Sequence, residues 1–121
     1  MNINRLIEKA KLLPDHPKGT NRKRQKLLAC ALDKKGKVLS IRSNDYECSH
    51  PLQKHFAEQV GRPDAIYLHA EMSALIASRK EVYKMIVVRL DSEGNPVLAK
   101  PCKICECAMK VYGVKVIEYT M

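Results

Sequence analysis

The sequence has no apolar run approaching the roughly 20 residues that a bilayer-crossing helix needs. Its first residues, Met1-Asn2-Ile3-Asn4-Arg5-Leu6-Ile7-Glu8-Lys9, interleave charge with apolar side chains and lack the uninterrupted core of a secretory signal. A cytoplasmic protein without a membrane partner is expected. Acidic residues are comparatively few: 13 Asp and Glu stand against 22 Lys and Arg, for a net charge of +9. That surplus favours anionic partners such as phosphates, without choosing between a nucleotide and a nucleic acid. The five cysteines are an odd number, and two of them form a Cys-x-x-Cys pair. Metal ligation or free thiols in a reducing compartment therefore fit better than a disulfide framework. With 121 residues, 45% of them apolar and 29% charged, a single domain over 1–121 is expected, close to the size where oligomerisation adds useful burial.

Apolar positions Ile3, Leu6, Ile7, Ala10 and Leu13 recur at helical spacing and predict a first amphipathic helix stopped near Pro14. The basic stretch Arg22-Lys23-Arg24-Gln25-Lys26 fits a charged lead-in that limits edge pairing, and phosphate contact is its alternative. Leu27–Leu32 and Val38–Ile41 read as a hairpin, with Gly36 supplying the positive φ of the turn and Cys30 a buried core thiol. Asn44 stands where the second strand hands over to a loop covering 45–50. Pro51 opens a helix in which Leu52, Phe56 and Val60 share a face until Gly61. His69 to about Lys80 is a further helix, and Tyr83–Leu90 is a nearly all-apolar central strand. Asp91–Pro96 then turns away. Pro101 begins another helix, with Cys102 and Cys105 in its opening turn, Glu106 and Lys110 paired outside, and Cys105, Met109 and Tyr112 on a second stripe. Val114–Tyr119 is the last strand.

Two segments carry chemistry: His69-Ala70-Glu71, and Pro101-Cys102-Lys103-Ile104-Cys105 about thirty residues later. Zinc takes nitrogen and sulfur ligands, and a catalytic zinc keeps one position open beside three protein ligands. His69, Cys102 and Cys105 offer three, and Glu71 remains free to carry protons. Residues i and i+2 of a regular helix point about 200° apart, so His69 and Glu71 can address one ion only if His69 lies at the helix entrance. Two helix N-termini at one place would also lower the cysteine pKa values. Each motif has a plainer reading. His-x-Glu arises by chance, and Cys-x-x-Cys serves structural zinc, with Cys48, Cys107 or a histidine as fourth ligand, or thiol redox chemistry. Cys48, His50 and His55 form a second conceivable metal set, against which loop polarity is the simpler account.

In combination these residues resemble the cytidine and deoxycytidylate deaminase superfamily, and look most like its small, phage-type deoxycytidylate deaminase-like members, over about Leu27 to Tyr119. The resemblance implies an α/β fold, a three-layer α/β/α sandwich around a central mixed sheet. It implies a Zn2+ ion held by His69, Cys102 and Cys105, with water as the fourth ligand. Glu71 would move protons from that water to the ring nitrogen and the departing amino group, while the Ala70 N–H and the Asn44 side chain contact substrate. The implied reaction is hydrolytic deamination of a cytosine nucleotide or nucleoside, deoxycytidylate-like by preference. Adenine, guanine or tRNA adenosine deamination is the alternative, although no appended RNA-binding domain is visible. Members of that family commonly continue through further helix and strand after the segment matching Lys115–Tyr119, so a pocket completed by a neighbouring subunit, and hence a homo-oligomer, is expected. Arg42-Ser43 stands where related proteins often have glycine.

Overall fold

The computed structural model describes residues 1–13, 26–43, 45–49, 51–61, 67–78, 80–91 and 93–121, with the backbone alone for 45–49, 67 and 68. His16, Arg22 to Gln25, Asn44 and His50 lie outside the described residues. In chain order the elements are α1 (Ile3–Lys11), β1 (Lys26–Leu32), β2 (Val38–Ser43), β3 (Asp45–Ser49), α2 (Pro51–Gln59), β4 (Tyr67–Leu68), α3 (Ala70–Ser78), β5 (Lys84–Leu90), β6 (Pro96–Val97), α4 (Lys103–Val111) and β7 (Val116–Tyr119). Five strands form a mixed sheet in the order β2-β1-β5-β6, with β7 also on β5. β1 runs antiparallel to β2 and to β5, whereas β7 runs parallel to β5.

The unbroken apolar runs of β1 and β5 follow from having helices on both faces. Successive side chains of a strand alternate between faces. Leu28, Cys30, Leu32, Ile86, Val88 and Leu90 accordingly pack with Leu6 and Ala10 of α1. Their neighbours Ala29, Ala31, Met85 and Val87 face Ala70 and Ala74 of α3 and Cys105 and Met109 of α4. α2 lies beyond that second layer, packing Phe56 and Ala57 against Met72, Ile104 and Ala108. Small alanines on the sheet let α3 and α4 approach closely. A hydroxyl adds a tie, since Ser40 Oγ on β2 donates to the Ala74 carbonyl of α3 at 2.7 Å.

The hairpin between β1 and β2 turns at Gly36 with φ +85°, as its sequence predicts. Two expectations change. Residues 45–49 are strand, not loop: β3 pairs antiparallel with β4, Asp45 opposite Leu68 and Ser49 opposite Tyr67. Backbone pairing with a distant segment, rather than apolar alternation, makes that strand, so a pattern search passes over it. Pro96 does not lead away either. The chain folds back through Gly94 (φ +84°), with Asp91 Oδ1 accepting the N–H groups of Glu93 and Asn95, and Pro96–Val97 pairs with Arg89 and Leu90. Proline is tolerated there because β6 is a short edge strand.

Leu6 is fully buried between α1 and the sheet, on the face opposite α3 and α4. Leu6→Ala is expected to lower stability by about 2–5 kcal/mol, read from urea unfolding, while the folded fraction keeps its metal affinity.

Candidate metal centre

α3 begins at Ala70, leaving His69 at the cap position, where its carbonyl accepts from Ser73 N at 2.9 Å. The helix entrance that a shared ion requires is therefore realised. α4 begins at Lys103, two residues later than Pro101 suggests, because Cys102 is extended (φ −69°, ψ 167°) and acts as its cap, its carbonyl accepting from Glu106 N at 2.9 Å. Asn, Asp, Ser and Thr are the usual residues at such positions, because their side chains bond the exposed N–H groups of the first turn. Cys102 makes no such bond, and His69 turns its ring toward the cysteines. Cys105 follows one turn into α4, so its thiol stands beside that of Cys102.

His69 Nδ1 lies 3.3 Å from Cys105 Sγ and 3.4 Å from Cys102 Sγ, and the three donor atoms fall within 4.8 Å of one another. Bonds of about 2.0 Å to nitrogen and 2.3 Å to sulfur set a tetrahedral N···S separation of about 3.5 Å. The donor set thus fits one zinc ion with small adjustments. Among the described residues this is the one cluster of histidine, cysteine and carboxylate donors able to hold a metal. No fourth protein donor joins it there. Cys107 Sγ instead approaches Gln59 Oε1 at 4.0 Å, and His55 Nε2 meets Gln59 Nε2 at 3.0 Å. The side chain of Cys48 and all of His50 fall outside the described residues, as does Asn44. Asp45 pairs with Leu68, the residue before His69.

Charge is distributed unevenly over the two thiols. Cys102 is pushed down to about 3, chiefly by the hydrogen bond from Cys105 and, against the opposing effect of burial, by His69. Cys105 is raised well above the ordinary thiol value by that same bond and by burial. The expected lowering therefore holds for Cys102 alone, because two touching sulfurs share one proton. Metal binding would displace it, since zinc takes thiolates.

Glu71, the second residue of α3, is 4% exposed, and its Oε1 has no hydrogen-bond partner. Burial raises its pKa, opposed by the Cys105 thiol and by His69. An unbonded carboxylate oxygen in the interior is costly, and here it lies beside three converging ligands. Ala70 is fully buried, and its N–H belongs to the first turn, where a helix has no carbonyl of its own to offer. Other expectations on these helices fare less well. Glu106 and Lys110 form no ion pair, and Tyr112 is 45% exposed, touching Phe56 edge-on instead of continuing the stripe of Cys105 and Met109. Sequence reasoning also passes over Gln53, which is fully buried on α2, its Oε1 3.4 Å from His69 N.

No family model and no curated protein matches the chain. The site's chemistry accordingly rests on its own residues. Among the described residues, no helix is long and apolar enough to cross a membrane.

Zinc analysis should find one ion per chain, lost in His69→Ala, Cys102→Ser and Cys105→Ser. Glu71 gives a pH signature in metal-free protein. A carboxyl whose folded pKa is raised contributes its full stability below the unfolded value near 4.3 and loses it as pH rises toward the folded value, by up to about 1.4 kcal/mol per pH unit. Glu71→Gln should thus gain on the parent chain as pH rises above about 4.3 in chelator-treated urea unfolding, and a difference constant with pH would contradict the burial argument.

Proposed function

We propose that this chain is a zinc-dependent deaminase of the cytidine and deoxycytidylate deaminase superfamily. It would convert a cytosine nucleotide or nucleoside, deoxycytidylate-like by preference, into the uracil product and ammonia. The observation that carries the reading is the pairing of three zinc-competent donors with a buried carboxylate that is not one of them. Structural zinc leaves Glu71 without a purpose, and a thiol redox centre leaves both Glu71 and His69 unexplained. A sheet with helices on both faces is compatible with the superfamily's three-layer arrangement.

His69, Cys102 and Cys105 would hold zinc, which when bound lowers the pKa of water far enough to ionise near neutral pH. Glu71 then does the proton work. Burial raises its pKa above the ordinary carboxylate range, the direction that suits a group that must first accept a proton and later donate one. It accepts a proton from the water and passes it to the ring nitrogen next to the amino-bearing carbon, then takes the second proton of that oxygen from the tetrahedral adduct to the amino group, so that ammonia leaves. Water supplies the new carbonyl oxygen, and no oxidant or reductant is required. The Ala70 N–H and Asn44 are assigned to substrate. The net charge of +9 suits a phosphate-bearing one, and assembly into a homo-oligomer belongs to the same proposal.

The test is ammonia release by zinc-loaded protein from cytidine, deoxycytidine and their mono- and triphosphates, beside adenine and guanine nucleotides and tRNA. Release is expected from a cytosine compound. Glu71→Gln should keep its zinc and lose at least about a hundredfold in rate. Turnover confined to purines would move the assignment to the alternative substrate class, and silence on every cytosine compound would end the present one.

A further inference from the structure

We propose that Gln53 is a positioning residue for the metal centre: its side chain holds the His69 peptide so that the imidazole is delivered to Cys102 and Cys105. The inference rests on the metal-centre part of the preceding reading.

Gln53 is fully buried, although the rest of α2's buried face is apolar, formed by Phe56 and Ala57. A primary amide in such a place must be hydrogen-bonded to be tolerated. Its Oε1 accepts from His69 N at 3.4 Å, long for such a bond but directed at one backbone amide of particular consequence. His69 precedes the first helical residue of α3, so its own N–H has no place in the helical ladder. Its carbonyl, by contrast, already accepts from Ser73. The Gln53 contact therefore restrains the remaining side of the His69 peptide. With both polar groups of that residue engaged, the imidazole is launched from a fixed base, and only its side-chain torsions remain to be set by the sulfurs.

The same arrangement explains why α2 matters to a centre to which it contributes no ligand. Phe56 and Ala57 dock α2 on Met72 of α3 and on Ile104 and Ala108 of α4, the two helices that carry the donors. Gln53 then reaches from that docked helix to the entrance of α3. Partners that orient metal ligands from outside the coordination sphere commonly govern affinity by 10- to 100-fold when removed.

The experiment compares Gln53→Met, which keeps length and removes the acceptor, with the parent chain and with Leu6→Ala, which destabilises the opposite face of the sheet. Zinc affinity is measured by competition with a chromophoric chelator, and ligand geometry by the thiolate charge-transfer and d–d bands of the cobalt-loaded protein. Gln53→Met should weaken zinc by about 10- to 100-fold and alter the cobalt spectrum, while Leu6→Ala changes affinity by less than about threefold at equal or greater loss of folding midpoint. Equal effects of the two variants would overturn the proposal. Should Gln53→Met fail to fold, amide exchange at His69 in the zinc-loaded parent chain decides: protection supports the contact, and exchange at the solvent rate overturns it. A parent chain that binds no zinc overturns this inference together with the metal centre. Zinc binding that depends on Gln53 without ammonia release from any base leaves it standing and removes only the deaminase reading.

Discussion

Everything at the centre depends on two helices starting at the same place. α3 and α4 lie on one face of the sheet, and the residues at their entrances, His69 and Cys102, are not usual capping residues: their side chains meet each other. A helix start costs stability when its orphan donors lack partners. At α4 Cys102 makes no side-chain cap bond, and its thiol converges instead with that of Cys105 on the His69 imidazole. The cap position also explains the spacing of the motifs. A cap and the third helical residue sit side by side, so Cys-x-x-Cys puts both sulfurs together, whereas His-x-Glu sets a ligand at the entrance and a carboxylate just inside.

That carboxylate gives the arrangement its polarity. Glu71 is kept from water by the core around α3, so its proton is held more tightly than on the surface. Cys102 and Cys105 show the reverse logic, because contact between the two sulfurs concentrates negative charge on one of them. Burial, hydrogen bonding and neighbouring charge thus act on adjacent groups in opposite directions, and the local geometry decides which effect prevails on each.

The parts legible in the sequence were those written in local pattern. The apolar runs of β1 and β5, the Gly36 turn and the amphipathic stripe of α1 recur in the structure with boundaries shifted by a residue or two. The metal donors were legible through residue type, and the angular argument required His69 to stand at a helix entrance, where it does. What escaped was set by distant partners. β3 is a strand because Asp45 and Ser49 find Leu68 and Tyr67, and β6 because Pro96 and Val97 return to β5. Gln53 carried no signal at all, since a glutamine in an amphipathic helix looks like its solvent face. The unequal thiols were equally hidden, because sequence gives the spacing of two cysteines but not the direction of the hydrogen bond between them.

The far end of the chain reaches back to the metal donors by a route of its own. Thr120 N donates to Val87 O, the Thr120 hydroxyl bridges Arg89 N and Val97 O, and the Thr120 carbonyl accepts from Ala99 N, three residues before Cys102. The strap leading into α4 is therefore clamped by a residue made some 50 positions after His69. The last strand thus helps to set where Cys102 stands without supplying a donor of its own.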